Sequence, residues 1–209
     1  MPDWVTNTVV ITGPGEKLKR FDSEIGKDFC FNKIVPMPKE LEDVDADSRG
    51  YAAYDALYGN YDKLICDYQW IPDNIKTREE LIEYLKKDYP YCLELAKKYR
   101  QNIQKYGAPT WYEWRTTHWG VKWDINPEEK IYTYKDHCIR ISFDTAWDPP
   151  TMAIARLSGM YPELTIILDF TRHNDNDRVV EVFLGGRRCL HMHVALDFGS
   201  EEGEVACPE

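Results

Sequence analysis

Residues 111–124, WYEWRTTHWGVKWD, hold four of the seven tryptophans of a 209-residue chain, interleaved with Arg115, His118 and Lys122. Thr110 followed by Glu113 has the spacing of a capping box, so a helix is expected to start at Trp111 and to end by Gly120, with 121–123 as a strand beyond it. At about 100° per residue, Trp111, Trp114, Arg115 and His118 share one side. Tyr112 and Trp119 widen that side, and Glu113, Thr116 and Thr117 are left opposite. An aromatic arc so broad must be buried over most of its extent. The chain must therefore build a core around a short helix and satisfy two polar side chains inside it, where unpaired charge is costly.

Two arrangements meet both demands. In one, Arg115 pairs with a buried carboxylate such as Asp144 and the stretch is core. In the other, the arc lines a pocket where tryptophan stacks on a flat ligand and Arg115 or Lys122 meets its phosphate, each stacked base contributing about 1–3 kcal/mol. The candidate ligand- or partner-binding residues are then Arg115, His118, Trp119, Lys122, Trp123, Asp144 and Trp147. The division expected within the motif makes Trp111 and Trp114 structural, and leaves Lys122 and one face of Trp119 or Trp123 to a partner.

Elsewhere the punctuation is clear. VTNTVVIT (5–12) is a β-branched run closed by GPG; a helix over 16–24 and a second strand, FCFNKIV (29–35), follow. An acidic loop leads to tyrosines at helical spacing, Tyr51, Tyr54, Tyr58 and Tyr61. Thr77 and Glu80 open a helix, Pro90 breaks it and opens another, and Gly107 ends that one. HCIRISF (137–143) alternates as a strand, DPP (148–150) places Asp148 as a cap with Pro149 at the first helical position, and two strands, 164–170 and 178–184, are joined by HNDN. Gly185–Gly186 is a two-residue hairpin turn into RRCLHMHVAL. A strand–helix–strand unit at each end, with helices inserted between, predicts an α+β sandwich.

Charge and cysteines narrow the function. A net charge of −10 argues against duplex DNA as a partner, since few phosphates could be neutralised. The lysines between Lys76 and Lys105 read as a solvated face. No apolar run is long enough to span a membrane, the N-terminus has no signal-peptide pattern, and a cytoplasmic protein is expected. The six cysteines are scattered without a CxxC pair, which predicts reduced thiols. Cys189, His191 and His193 alternate along one expected strand and form a weak zinc candidate; no metal and no cofactor is expected. DND lacks the remaining ligands of a calcium loop, and no phosphate-binding loop, GxSxG or HExxH occurs. Asp144, Asp148 and His118 are the residues a hydrolase would have to use.

In order along the chain, MPDWVTNTVVITG, FCFNKIVPMPKEL, WYEWRTTHWGVKWD, ISFDTAWDPP and LSGMYPEL resemble the Api92-like family, proteins with a YubB ferredoxin-like domain. The resemblance runs from Met1 to about Phe183. It departs at Val5, where members often have cysteine, and does not extend to the C-terminal RRCLHMHVALDFGSEEGEVACPE. It implies a ferredoxin-like α+β fold, an antiparallel sheet packed on helices, and residence on phages, plasmids and integrative elements, with no catalytic residues to transfer. The expected organisation is a single α+β domain over 1–209, a helical insertion over 48–106 and a flexible acidic tail over 197–209. The expected function is non-catalytic binding to a host protein, of its defence or nucleic-acid machinery. A nucleotide-binding protein or sponge is the alternative and a metal-dependent hydrolase the third reading.

Overall fold

The computed structural model describes residues 3–59, 68–135, 137–172 and 177–194. The chain divides into two compact units: one contains the described residues up to Cys30 and from Ile125 onward, the other is Phe31–Asp124.

The described residues of the first unit form a six-stranded sheet with two α-helices. β1 (Trp4–Thr12) is followed by α1 (Gly15–Glu24); after the second unit come β2 (Ile131–Lys135) and β3 (Cys138–Ala146). The last described helix, Thr151–Met160, then leads to β4 (Thr165–Arg172), β5 (Asp177–Leu184) and β6 (Arg187–Val194). The strand order is β2-β3-β1-β4-β5-β6, with every neighbouring pair antiparallel. Through β4 this is the ferredoxin-like arrangement of two strand–helix–strand halves, and β5–β6 extends it by a hairpin.

The period of two fixes which face is core. Val9 lies between Ile141 and Leu168, and Ile11 between Ile139 and Ile166, all fully buried. Leu18 and Phe21 of α1, and Ala153, Ile154 and Leu157 of the last helix, supply the buried helical side chains. Phe21 meets Tyr161 edge to face at 5.1 Å. Each fully buried Ile, Leu or Phe contributes roughly 1.5–3 kcal/mol. The β5–β6 turn needs two left-handed residues, and Gly185 and Gly186 supply them at φ 54° and 84°. Gly186 N–H also donates to Ser158 Oγ at 2.9 Å, tying the turn to the last helix.

The second unit is helical: α2 (Phe31–Ile34), α3 (Ser48–Tyr58), α4 (Arg78–Asp88), α5 (Tyr91–Tyr106) and α6 (Trp111–His118), which makes the helix after β3 α7. The stretch 48–106 lies within it. Asp47 caps α3 by accepting from the N–H groups of Arg49 (2.7 Å) and Gly50 (3.0 Å). The Thr77–Glu80 capping box forms in full, and α5 ends at Gly107 with φ 76°. Ala53, Ala56, Leu81, Leu85, Cys92 and Ala96 make one buried cluster.

Four local expectations are corrected. FCFNKIV is not a strand: its centre is the short helix α2, because Asp124, far along the chain, accepts from the N–H groups of Phe31 (2.6 Å) and Asn32 (3.0 Å). Residues 121–123 bend instead of pairing in a sheet. α7 begins at Thr151, not at Pro149, with Pro150 at the cap position and no side-chain cap from Asp148. At α6, Thr110 caps the helix by accepting from Tyr112 N–H (3.1 Å), but the Glu113 carboxylate accepts from the hydroxyls of Thr110 and Tyr51, so neither bond of the expected box forms. The HNDN turn, Tyr61, Cys66, Cys207 and the tail 197–209 lie outside the described residues.

Candidate binding surfaces

The expected site residues fall in different units: Arg115, His118, Trp119, Lys122 and Trp123 in the helical unit, Asp144 and Trp147 in the sheet unit.

In the helical unit most of the aromatic arc is interior. Trp119 is 1 % exposed; its indole N–H donates to the Val35 carbonyl at 2.9 Å, and its ring lies 5.9 Å from Phe31 and 6.0 Å from Trp114. Trp119 therefore has no face left for a ligand, against expectation. Trp114 is buried too, and His118 stacks on it with centroids 4.2 Å apart and planes at 10°, its Nδ1 2.8 Å from the Trp114 carbonyl oxygen. The i to i+4 spacing produces that stack directly.

Arg115 is half-buried and solves its charge problem without the expected Asp144. Its guanidinium lies between the rings of Trp111 (5.2 Å) and Trp119 (5.0 Å) and donates to Met37 Sδ (3.3 Å) and the Lys122 carbonyl (3.4 Å). Burial lowers its pKa, and the charges of Asp124 and Glu42 oppose that. Asp144 instead accepts from Thr6 Oγ1 at 2.8 Å. Of the motif's tryptophans, Trp123 is the exposed one, with the Lys122 ammonium 4.0 Å from its ring centre.

Two open grooves flank α5, and the sequence reading missed both. One, of about 470 Å³, is lined by Lys97, Lys98, Lys105, Glu40, Glu94 and Tyr106 among others. The other, of about 310 Å³, has Asp43, Asp45 and Asp47 facing Tyr91 and Lys98. The lysine spacing was the available signal, but two of the first groove's three lysines are paired within it, Lys97 with Glu94 (2.7 Å) and Lys105 with Glu40 (3.2 Å).

In the sheet unit, Trp147 holds φ at 67°, a left-handed conformation unusual for a bulky residue, with its N–H donating to the Asp3 carbonyl at 2.7 Å. Trp147 and Trp4, the latter opposite Ala146 on β1, are both partly exposed.

The sheet face opposite the core is more extensive. Across it Val10 faces Ile167, Ile167 faces Val182 and Val182 faces Leu190; in the next row Val180 faces Met192. Leu190 and Met192 are exposed, and the other four are partly so. Beside this apolar field the face is threonine-rich, with Thr8 against Ser142 and Asp169 paired to Arg178 through two hydrogen bonds of 3.0 and 2.7 Å.

On the core side of β5 and β6, Glu181 is buried, and His191 and His193 each bring Nδ1 to 2.8 Å from a carboxylate, Glu181 and Asp177 respectively. Cys189 does not join them. It sits where the β5–β6 register shifts, its Sγ turned to the Arg187 carbonyl. Among the described residues, no group of three or more His, Cys, Asp or Glu is placed to hold a metal, and no helix is long and apolar enough to cross a membrane.

Residues 118–205 match the family described as the ferredoxin-like domain in Api92-like protein, a segment that contains β2 through β6. A crystal structure of protein api92 from Yersinia pseudotuberculosis aligns over 94 % of this chain and 99 % of that one, with a TM-score of 0.48 and 11 % identity. No curated protein matches. The segment from His118 onward is thus similar to the ferredoxin-like domain of Api92-like protein.

Proposed function

We propose that this protein is an accessory protein of a phage or other mobile element and acts by non-catalytic binding of a host protein, through the open face of its sheet. The observation that carries this reading is the apolar field Val10–Ile167–Val182–Leu190 with Val180 and Met192. Contiguous exposed apolar surface bordered by polar groups is the composition of a protein interface. A net charge of −10 disfavours a polyanionic partner on the same face. The test is affinity capture from the natural host with the wild-type chain and with a Leu190→Asp/Met192→Asp variant. Both side chains are exposed, so the variant is expected to melt as the wild type does while losing the captured protein. A partner retained by the variant, or a copurified nucleotide with no protein, overturns the proposal.

A nucleotide-binding reading draws on Trp147, an exposed indole held at positive φ just beyond the residue that pairs with Trp4, and on Lys122 with Trp123. Equilibrium dialysis against mononucleotides, read with Trp147→Ala and Trp123→Ala, decides it: saturable binding lost in either variant favours that reading.

A further inference from the structure

We propose that His191 and His193 form a two-histidine chelate for a divalent transition metal of the zinc class, oriented by Glu181 and Asp177. Both residues lie on one face of β6, two positions apart, and their ring centroids are 5.2 Å apart with planes at 77°. A metal bound by two imidazoles at about 2.0–2.1 Å, with a tetrahedral angle between them, requires ring centres about 5 Å apart. The rings already stand at that separation.

The carboxylates settle which nitrogen is offered. His191 Nδ1 lies 2.8 Å from Glu181 Oε1, and His193 Nδ1 lies 2.8 Å from Asp177 Oδ1. A carboxylate only accepts, so each ring keeps its proton on Nδ1, and in the neutral imidazole Nε2 carries the free lone pair. A carboxylate behind each ligand is the usual support of metal-binding histidines, fixing the tautomer and raising ligand basicity. The support is itself rigid: Glu181 is 1 % exposed, and it also accepts from Thr151 Oγ1 (3.1 Å) and from Arg188. The imidazoles remain open to solvent, with side chains 43 % and 65 % exposed.

Cys189 is outside the chelate because the register shift turns it away. Two protein ligands leave two tetrahedral positions for water or for groups of a partner, so the site binds more weakly than a closed structural one.

The experiment is calorimetric titration of the intact chain with zinc chloride, paired with long-range imidazole ¹⁵N NMR. One zinc per chain is expected, with Nε2 of both rings shifted and Nδ1 still protonated. His191→Ala and His193→Ala are each expected to abolish binding, Asp177→Asn to weaken it about tenfold with both ligands intact, and Cys189→Ser to leave it unchanged. All four side chains are at least partly exposed, so these variants are expected to fold, and unchanged melting curves without metal check that. Absence of binding at millimolar zinc, binding that survives both histidine variants, or binding lost in Cys189→Ser overturns the proposal.

Discussion

The guanidinium of Arg115 between two indoles invites a double-mutant cycle. Trp119 is 1 % exposed, touches Phe31 and Trp114, and donates to a backbone carbonyl. Trp119→Ala removes a large buried ring and leaves a cavity, at a cost of about 3–5 kcal/mol. Arg115 has two ring contacts, each worth roughly 1 kcal/mol at half burial, so Arg115→Ala should cost about 2 kcal/mol. One of those contacts is shared with Trp119. The double variant should therefore fall short of the sum by about 1 kcal/mol. Urea denaturation followed by circular dichroism and by indole fluorescence measures all four corners; two probes are needed because the chain has two compact units. Additivity within about 0.3 kcal/mol, or an Arg115→Ala variant as stable as the wild type, would refute the stacked arrangement and return Arg115 to the list of ligand-binding candidates.

Acid should destabilise the fold in a defined window. The carboxyls of Glu24, Glu80 and Glu163 are held below their ordinary value of 4.5, chiefly by Arg20, by the Lys76 N–H and by Lys17 respectively, and Glu40 is held at about 2, chiefly by the Tyr106 hydroxyl. Depressed carboxyls stabilise above the unfolded pKa and lose that stabilisation as pH falls through the folded one, so melting temperatures should fall between pH 4.5 and about 2; a rise on acidification would contradict the assignment. Tyr99, whose phenol burial pushes up to about 12, donates to the Asp45 carbonyl and accepts from Asp47 N–H at 3.1 Å. Tyr99→Phe should cost about 1–3 kcal/mol in chemical denaturation, and a neutral result would mean that water replaces the hydroxyl.

Much of this architecture is local in origin and therefore legible in the sequence. The Thr77–Glu80 box, Gly107 as a stop and the Gly185–Gly186 turn each depend on a few adjacent residues, and each forms where its spacing predicts. The failures are long-range. Nothing within FCFNKIV announces that Asp124 will seat the N–H groups of Phe31 and Asn32 and wind the segment into a helix. Likewise, the Arg115 charge pointed to a carboxylate, and the actual solution, two rings and a carbonyl, depends on how α6 folds back on its own C-terminal extension. The alternation of His191 and His193 was visible, but not the register shift that separates Cys189 from them, since a bulge is a property of two paired strands.

The bonds from Asp124 to Phe31 and Asn32 also bear on how such a chain can change over time. They fasten the first and last residues of the helical unit to each other, so a segment more than ninety residues long leaves the path between α1 and β2 at nearly the point where it returns. To the sheet, that segment has the end-to-end span of a tight loop. Connections of this kind can lengthen, shorten or be exchanged without altering strand order, because loop-closure entropy rises only slowly with length and the ends are already joined. The helical unit is thus placed to diversify independently while the six strands keep their register.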